Sequence, residues 1–524
     1  MWPEFTSEKG NDAMSSYQIG KSHRGFFGHP SGLGWLFSME MCERFSYYGM
    51  RAILLYFVID EGINGGLGIS EPIGQALVAA YGASAYLLAI VGGILSDRVV
   101  GLWKATLYGG VVIMFGHLAL TLPTSPMSWV GICCIALGTG LLKPNLQAMF
   151  GEVYAEGDPR RHGGFQLMYF SVNIGAFLAP FVIGGMRAAG GYHAGFSAAA
   201  IGMALSLLIF IVGRSRMPES VMTASQPLSN GGQRRLFIFT LGSVVAVGAL
   251  FLGFIVLLPD ITDAIVGTVA TVAAIVAVAY FVTMFRSKKV NADERSYLRA
   301  YLPLWLAAMV VWMIEEQAAV KMASFALSNT QLNVGGFGIP PEWYQSINPW
   351  VCLIAAPILA YWFTRRAGKF PGVIHKFIFG TVLLGTSALL MGVGFATWTG
   401  GESLAPWWFL ALVFVVQTTG IVFISPVGAA ATTLLMPRAF KGQGMAVWLL
   451  NNALAQGLAA VIIRLLAGVN DSVFYYILTA ATVVTVVVLG ILATRISAIT
   501  SLVEGPADPV AASNVEPIGD SRQA

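Results

Sequence analysis

Polar and charged side chains are concentrated on one face of an otherwise apolar segment near the start of the chain. The stretch "SMEMCERFSYYGMR" (38–51) holds six of them, and the apolar run "AILLYFV" follows at once. At 100° per residue the six side chains fall within an arc of about 140°. They are Glu40, Glu43, Arg44, Tyr47, Tyr48 and Arg51. Glu40 and Arg44 stand four residues apart, the spacing at which an acid and a base pair along a helix.

This polar face predicts an aqueous cavity inside a membrane. A charge within the bilayer costs about 3 kcal/mol or more unless it is paired or hydrated. The alternative is an anchor at the headgroup boundary, but the face continues for three turns and carries both signs. Low dielectric disfavours an unpaired charge, so an acid whose cationic partner comes and goes can take up and release a proton. The chemistry expected of these residues is therefore proton coupling.

Other apolar segments supply possible partners for this face. "GTGLLKPNLQAMFGE" (138–152) places Lys143 inside a helix, and "VVWMIEEQAAVKMASF" (310–325) places Glu315 and Glu316 there. Asn173 lies in the middle of another predicted helix, and Asn348 lies near the start of a further one. Lys321 and Arg464 are expected to reach the membrane interface by snorkelling.

The composition requires a membrane to hold these segments. Of 524 residues, 56% are hydrophobic and 11% charged, whereas soluble domains have about a quarter charged. A helix needs about 20 apolar residues to cross the hydrocarbon core, and strands would leave backbone groups unsatisfied in lipid. The predicted helices are 33–60, 74–96, 103–122, 128–151, 163–187, 194–214, 236–258, 262–285, 299–329, 344–364, 372–397, 405–435, 442–467 and 471–495. The sequence thus predicts an all-α integral membrane protein with about fourteen transmembrane helices.

Loop charges and internal similarity predict the organisation. Lys and Arg fall in alternate loops, which places both termini in the cytoplasm and the protein in the cell's inner (cytoplasmic) membrane as a multi-pass protein. Two short basic turns, "SDRVVGLWK" (96–104) and "TRRAGKF" (364–370), indicate two similar halves. The expected parts are a cytoplasmic tail 1–32, a six-helix bundle 33–214, a linker 215–235, an inserted hairpin 236–290, a second six-helix bundle 291–496 and a cytoplasmic tail 497–524.

Several functional classes are disfavoured. The net charge of +4 is spread among loops, so no nucleic-acid partner is expected. The four cysteines fall in apolar segments and are expected to be reduced packing residues. The scattered histidines have no metal-ligand spacing, and we find no catalytic group of the kind that a membrane enzyme needs. We therefore expect no enzyme activity, no metal and no cofactor beyond protons as the coupling ion.

Six stretches resemble the proton-dependent oligopeptide transporters, a branch of the major facilitator superfamily. They are "EMCERFSYYG" (40–49), "GGILSDRVVG" (92–101), "GTGLLKPN" (138–145), "MYFSVNIG" (168–175), "PPEWYQSINP" (340–349) and "SPVG" (425–428). The resemblance implies a major facilitator fold of two six-helix bundles, here with a two-helix hairpin insert. It implies a symporter that imports di- and tripeptides with protons by alternating access, and we expect it to function as a monomer in the lipid bilayer.

The same resemblance implies roles for individual residues. It assigns proton coupling to Glu40, Glu43, Arg44 and Glu316. It assigns substrate binding to Tyr47, Tyr48, Arg51, Tyr86, Lys143, Asn173, Glu316, Asn348, Trp448 and Asn452. Taken alone, Tyr86, Trp448 and Asn452 would more often be residues that pack or join helices. We further expect Arg51 to meet Glu316 across the two bundles and so close the outer side.

One departure from the family leaves the substrate open. The family has an acid ahead of the Ser-Pro of its tenth helix, where it helps to hold the peptide's amino terminus, whereas this chain has Ile421. Glu315 or Glu316 could serve instead. The alternative is a proton-coupled carrier of another small solute on the same fold, such as an amino acid, histidine or nitrate.

Overall fold

The computed structural model describes residues 25–155, 158–365, 372–399 and 403–504. Most of both predicted tails, Glu402 and most of the "TRRAGKF" turn lie outside these residues. Within these ranges the secondary structure is helical apart from one small β-hairpin, in which β1 (Asn333–Val334) pairs antiparallel with β2 (Phe337–Gly338). The fold is therefore helical throughout the membrane, as the composition predicts.

Five helices form the part of the chain before the linker, which we call the first half. They are α1 (Ser31–Ile59), α2 (Glu71–Leu95), α3 (Leu102–Leu120), α4 (Ser125–Glu152) and α5 (Arg161–Val212). A straight helix of 52 residues would be about 78 Å long, more than twice the hydrocarbon thickness. The backbone leaves the helical region at Gly190 and Gly191, and φ of Gly191 is 77°. α5 thus makes two passes, which correspond to the two spans predicted at 163–187 and 194–214.

The inserted helical hairpin and the remaining helices come after the linker. This hairpin consists of α6 (Asn230–Leu257) and α7 (Ile261–Arg286). The second half contains α8 (Ala292–Glu315), α9 (Lys321–Ser328), α10 (Ile347–Arg365), α11 (Val373–Trp398), α12 (Trp407–Leu435), α13 (Gly444–Leu465) and α14 (Asp471–Glu504). Within the described residues this makes fourteen passes, with α5 counted twice and α8 and α9 as one. α14 runs eight residues beyond the expected boundary at 496, and α6 begins inside the expected linker.

The single helix predicted for 299–329 is wrong. α8 ends at Glu315, a 3-10 turn follows over Glu316–Ala319, and α9 begins at Lys321. The freed carbonyl of Glu315 accepts a hydrogen bond from the side chain of Gln417, 3.3 Å away. The hydropathy of residues 299–329 could not show this break, because the hydrogen bond that satisfies the Glu315 carbonyl comes from a side chain of another helix.

Small residues let the helices pack closely. Gly116 of α3 and Gly131 of α4 face each other's backbone carbonyls, and a Cβ on either would come within 2.8 Å of the other's oxygen. Close backbone approach of this kind is typical of helices in membranes, where association depends on van der Waals packing. α1 lies along α5, while α2 packs against α4, α7 and α13. α2 is therefore shared between the first half, the hairpin and the second half.

Candidate substrate cavity and charge network

A cavity of about 180 Å³ lies between the two halves, where α1, α2 and α5 face α8, α10 and the turn between α8 and α9. Seven of the residues predicted as site residues line it. They are Tyr47, Tyr48, Arg51, Tyr86, Asn173, Glu316 and Asn348. Glu315 and Gln345 also contribute to the lining. The sequence therefore predicts most of the polar surface of this cavity.

An ion pair crosses the cavity from one half to the other. Arg51 of α1 donates through Nη2 to Oε2 of Glu316, and both side chains are largely buried. Asn452 of α13 donates to the other carboxylate oxygen of Glu316 at 3.2 Å. Asn452 in turn accepts a hydrogen bond of 2.5 Å from Gln456. Glu316 thus joins a cation of the first half to an amide network of the second.

The adjacent acid has different partners. Glu315 accepts hydrogen bonds from Asn348 of α10 and from Gln417 of α12, the latter over 3.0 Å. No cation of the described residues pairs with Glu315 within ion-pair distance. Gln417 stands one turn before Ile421, which is buried and carries no charge. Sequence reasoning missed Gln417, although a side-chain amide in a strongly apolar helix was a usable signal.

The polar face of α1 does not lie wholly on the cavity, contrary to what the periodicity predicts. Its later part, Tyr47, Tyr48 and Arg51, lines the cavity, whereas the earlier acids and Arg44 do not. Arg44 Nε lies 3.1 Å from Glu40 Oε1 and 2.5 Å from Glu43 Oε2, and all three side chains are at most 2% exposed. The close approach of α5 explains this burial, since Gly175 lies against Arg44.

Lys143 reaches the cavity through a neighbour. Its Nζ donates to Tyr86 Oη at 3.1 Å and lies 4.1 Å from the centroid of that ring. Trp448 is buried against Gly428 of α12 and is not among the cavity's lining residues. Asn173 lines the cavity, but its amide nitrogen donates to the carbonyl of Tyr169 in its own helix, 2.8 Å away. The predicted residues therefore differ in how directly a ligand could contact them.

Two further ion pairs lie near the end of the bundle that carries Asp60 and Glu71, and the first of them connects the halves. Arg187 of α5 pairs with Glu342, which precedes α10 and is fully buried. Burial raises the pKa of Glu342 above its ordinary value, and the adjacent Arg187 guanidinium opposes part of that rise. Sequence analysis identified neither residue, because an acid and a base in separate helices give no local pattern.

The second of these pairs corrects the expectation for Lys321. Its Nζ contacts Asp471 of α14 at 2.5 Å and Gln75 of α2 at 2.9 Å, and the side chain is almost completely buried. Arg464 is paired as well, since its Nε lies 2.5 Å from Asp263 at the start of α7. Both cations are therefore held by acids from other helices.

The arrangement suits ligand binding and proton exchange more than bond-making chemistry. The cavity is lined by the guanidinium of Arg51, by the carboxyl groups of Glu315 and Glu316, and by tyrosine hydroxyls and amides. Within the described residues, no three His, Cys, Asp or Glu side chains are grouped so as to hold a metal ion. A zwitterion could pair with both charges while the amides contact its polar backbone.

Comparisons with known proteins agree with this architecture. The family model described as "POT family" matches residues 103–484. A di-/tripeptide transporter from Lactococcus lactis subsp. cremoris is 38% identical over 469 residues, which cover 88% of this chain and 94% of the relative. A crystal structure of peptide transporter POT in complex with sulfate shares 37% identity, with a TM-score of 0.85 over 91% of this chain and 97% of the other.

A second solved structure, a POT family transporter in complex with 5-aminolevulinic acid, has a TM-score of 0.85 and 33% identity. It covers 90% of this chain and 98% of the other. These likenesses confirm the fold of the major facilitator type expected from the six motifs. They also confirm that the chain is a multi-pass membrane transporter and not an enzyme. The family model and the relatives agree along most of the sequence, and the chain belongs to the POT family.

Proposed function

We propose that this protein is a proton-coupled symporter that imports di- and tripeptides by alternating access. The observation that carries the proposal is the Arg51–Glu316 pair, which joins the two halves within the cavity. A ligand that competes for either member of this pair also loosens the contact between the halves. Binding, proton uptake and conformational change can then depend on the same two side chains.

A short peptide has the charges and the backbone that this cavity can bind. Its carboxylate would pair with Arg51. Lys143 does not line the cavity, but it donates a hydrogen bond to Tyr86, which does. Its amino group would approach Glu315 or Glu316, while Asn173 and Asn348 would contact its peptide bonds. Contacts made to the peptide backbone do not depend on the peptide's side chains, so one cavity could accept many peptides.

Proton coupling follows from competition for Arg51. When the peptide carboxylate pairs with Arg51, Glu316 loses its cationic partner while it remains buried. A buried carboxyl group without a partner favours its neutral form, so Glu316 would take up a proton. Restoring the Arg51–Glu316 pair after the peptide leaves would expel that proton. No cofactor is needed beyond the proton itself.

Two sets of charges would act on either side of the cavity. The Arg187–Glu342 pair and the hydrogen bond from Lys321 to Gln75 hold the halves together at the end that carries Asp60, which we infer to be the outer side. The cluster of Glu40, Glu43 and Arg44 lies on the other side, nearer to the start of α1. We infer that these two outer contacts break to admit the peptide, and that the inner cluster accepts the proton before it reaches the cytoplasm.

The relatives support peptides as the substrate, and the loop charges support the orientation. The Lactococcus lactis relative is named a di-/tripeptide transporter, and the solved neighbour is a peptide transporter. We place the protein in the cell's inner membrane with both termini in the cytoplasm, where the positively charged loops favour them. We propose the monomer as the functional unit, because both halves of the cavity come from one chain.

A carrier of another small solute remains the second candidate, and Ile421 favours it. An apolar side chain at this position removes an acid that could hold an amino terminus, and Gln417 adds an amide in the preceding turn. A solved neighbour holds 5-aminolevulinic acid, which is not a peptide. The rest of the polar cavity is equally compatible with a small zwitterion.

Uptake by purified protein in liposomes distinguishes these candidates. With an inward proton gradient, radiolabelled dipeptides and tripeptides should accumulate above their outside concentration, whereas free amino acids, histidine and nitrate should not. Liposomes without protein and liposomes with a proton-conducting uncoupler are the controls. Accumulation of a free amino acid or nitrate in preference to every peptide tested would exclude peptide import.

A further inference from the structure

A second and larger cavity, of about 380 Å³, lies between α2, α4 and the hairpin helix α7, with the outer end of α1 at its base. We call it the lateral groove. Its wall on α2 runs from Leu77 to Leu88, and its wall on α4 includes Trp129, Cys133 and Leu137. α7 contributes Ile265. The groove is separate from the substrate cavity, and the lining residues of the two do not overlap.

The chemistry of the lateral groove excludes water and polar ligands. None of its described lining residues is charged, and the polar groups are the hydroxyls of Tyr81 and Ser84, the thiol of Cys133 and the indole N–H of Trp129. Ser84 donates its hydroxyl to the carbonyl of Ala80 at 2.8 Å. A buried water needs two to four polar partners, so water would be poorly held here. An empty groove would instead forfeit dispersion contacts along its whole length.

The groove opens toward lipid. Trp129, Cys133 and Leu137 follow one another at four-residue spacing on α4, and all three are exposed on the outside of the helix bundle. Trp129 stands one turn inside the start of α4, a position typical of tryptophan at the membrane interface. The groove is therefore continuous with the lipid-facing surface, and hydrocarbon is the medium at its opening.

The length of the groove matches one leaflet of the bilayer. Leu77 and Leu88 are eleven residues apart on α2, which corresponds to about 16 Å along a helix. Half of the hydrocarbon core is about 15 Å thick. The residues nearest to the starts of α2, α4 and α7 all lie at one end of the groove, so it extends from the membrane surface toward the midplane.

We propose that the lateral groove binds one acyl chain of a membrane phospholipid, with the headgroup at the membrane surface beyond Trp129. α7 supplies one wall, and the pair between Asp263 and Arg464 fixes that helix to α13. This gives the hairpin a function as part of a lipid site. The lipid tail and the groove are equally apolar, so binding depends on packing, and the lipid exchanges with its neighbours.

The site also lies directly behind the substrate cavity. Tyr86 lines that cavity and Leu88 lines the lateral groove. Side chains two positions apart on a helix point in nearly opposite directions. α2 therefore separates the acyl chain from the substrate. Occupancy would support α2 against movement toward α7. The proposal rests on the fold and not on the identity of the transported solute.

Photochemical labelling in liposomes tests the proposal without any transport measurement. A phospholipid with a diazirine near the middle of one acyl chain is reconstituted with the protein, activated and mapped by mass spectrometry. We expect labelling at Cys133, Leu137 and Leu88 to exceed that at Val245, an exposed residue of α6 at a similar depth in the membrane, several-fold. Equal labelling per residue in the groove and on α6 would overturn the proposal.

Filling the groove provides a second measurement. Ser84→Leu and Ala136→Phe add bulk from opposite walls, and each should remove most of the groove labelling. Gly248→Leu is the matched control, because it adds bulk on α6 where no atom lies within 4 Å. Unchanged groove labelling in both filled variants would overturn the proposal, as would labelling by a photoreactive free fatty acid but not by the phospholipid. If neither filled variant folds, the ratio of groove labelling to α6 labelling in the unchanged protein is the test of the proposal.

Discussion

Replacing Glu316 with Gln should shift the equilibrium between the closed and the open form of the outer side toward the open form. Gln keeps the shape of the side chain and can still bond Asn452, but it leaves Arg51 without its carboxylate. Removing one member of a buried ion pair costs about 3–5 kcal/mol. Because Arg51 is 15% exposed and Glu315 lies nearby, we expect the lower end of that range. About 3 kcal/mol corresponds to a shift of roughly a hundredfold in the conformational equilibrium.

The distance between the outer ends of the two halves reports this shift. Spin labels at Ile63, in the loop after α1, and at Leu404, before α12, occupy exposed positions of the first and second half. If the open form makes up about one per cent of the unchanged protein, the Glu316→Gln variant should contain about half. Pulsed electron resonance without peptide should therefore show a second, longer distance in the variant.

A double substitution separates this reasoning from a loss of structure. In Arg51→Gln combined with Glu316→Gln neither member of the pair leaves its partner's charge unpaired, so much of the closed form should return. Asp158→Asn, which removes an acid from the exposed pair with Arg160, should leave the distances unchanged. If both single variants and the double variant gave the same distances as the unchanged protein, Arg51 and Glu316 would not hold the outer side closed.

Three other variants test the remaining charges. Glu40→Gln should abolish proton-driven accumulation while exchange of peptide for peptide continues, and intact accumulation would remove Glu40 from the coupling. Lys143→Ala should abolish uptake with little loss of folded protein, as judged by gel filtration; normal uptake would show that the Lys143–Tyr86 contact is not needed. Arg464→Ala leaves Asp263 without its cation but in partial contact with water, so we expect a loss of about 1 kcal/mol and a slightly lower unfolding temperature, with transport retained. Complete loss of folded protein would show that the hairpin anchor is essential.

The sequence predicts the elements and many of the cavity residues because those signals are local. Fourteen apolar runs indicate the membrane passes, and the spacing from Glu40 to Arg51 indicates one polar face. Lys143, Glu316 and Asn348 stand out because a charge or an amide is rare in an apolar segment. Each of these inferences needs only a few neighbouring residues.

What the sequence does not predict depends on contacts between distant segments. Lys321 and Asp471 are 150 positions apart, and neither is unusual in its own segment. An isolated lysine near a helix end resembles a snorkelling residue until the acid beside it is known. The helix break after Glu315 likewise depends on Gln417 of another helix. The division of the α1 face follows from the close approach of α5 at Gly175.

In the proposed mechanism, peptide and proton compete through Arg51 and Glu316. Peptide-driven acidification of the interior can be measured in liposomes that contain a pH-sensitive dye and either the unchanged protein or the Glu316→Gln variant. We expect saturable, peptide-dependent acidification with the unchanged protein, and none with the variant although it still exchanges one peptide for another. Equal acidification by both proteins would contradict it.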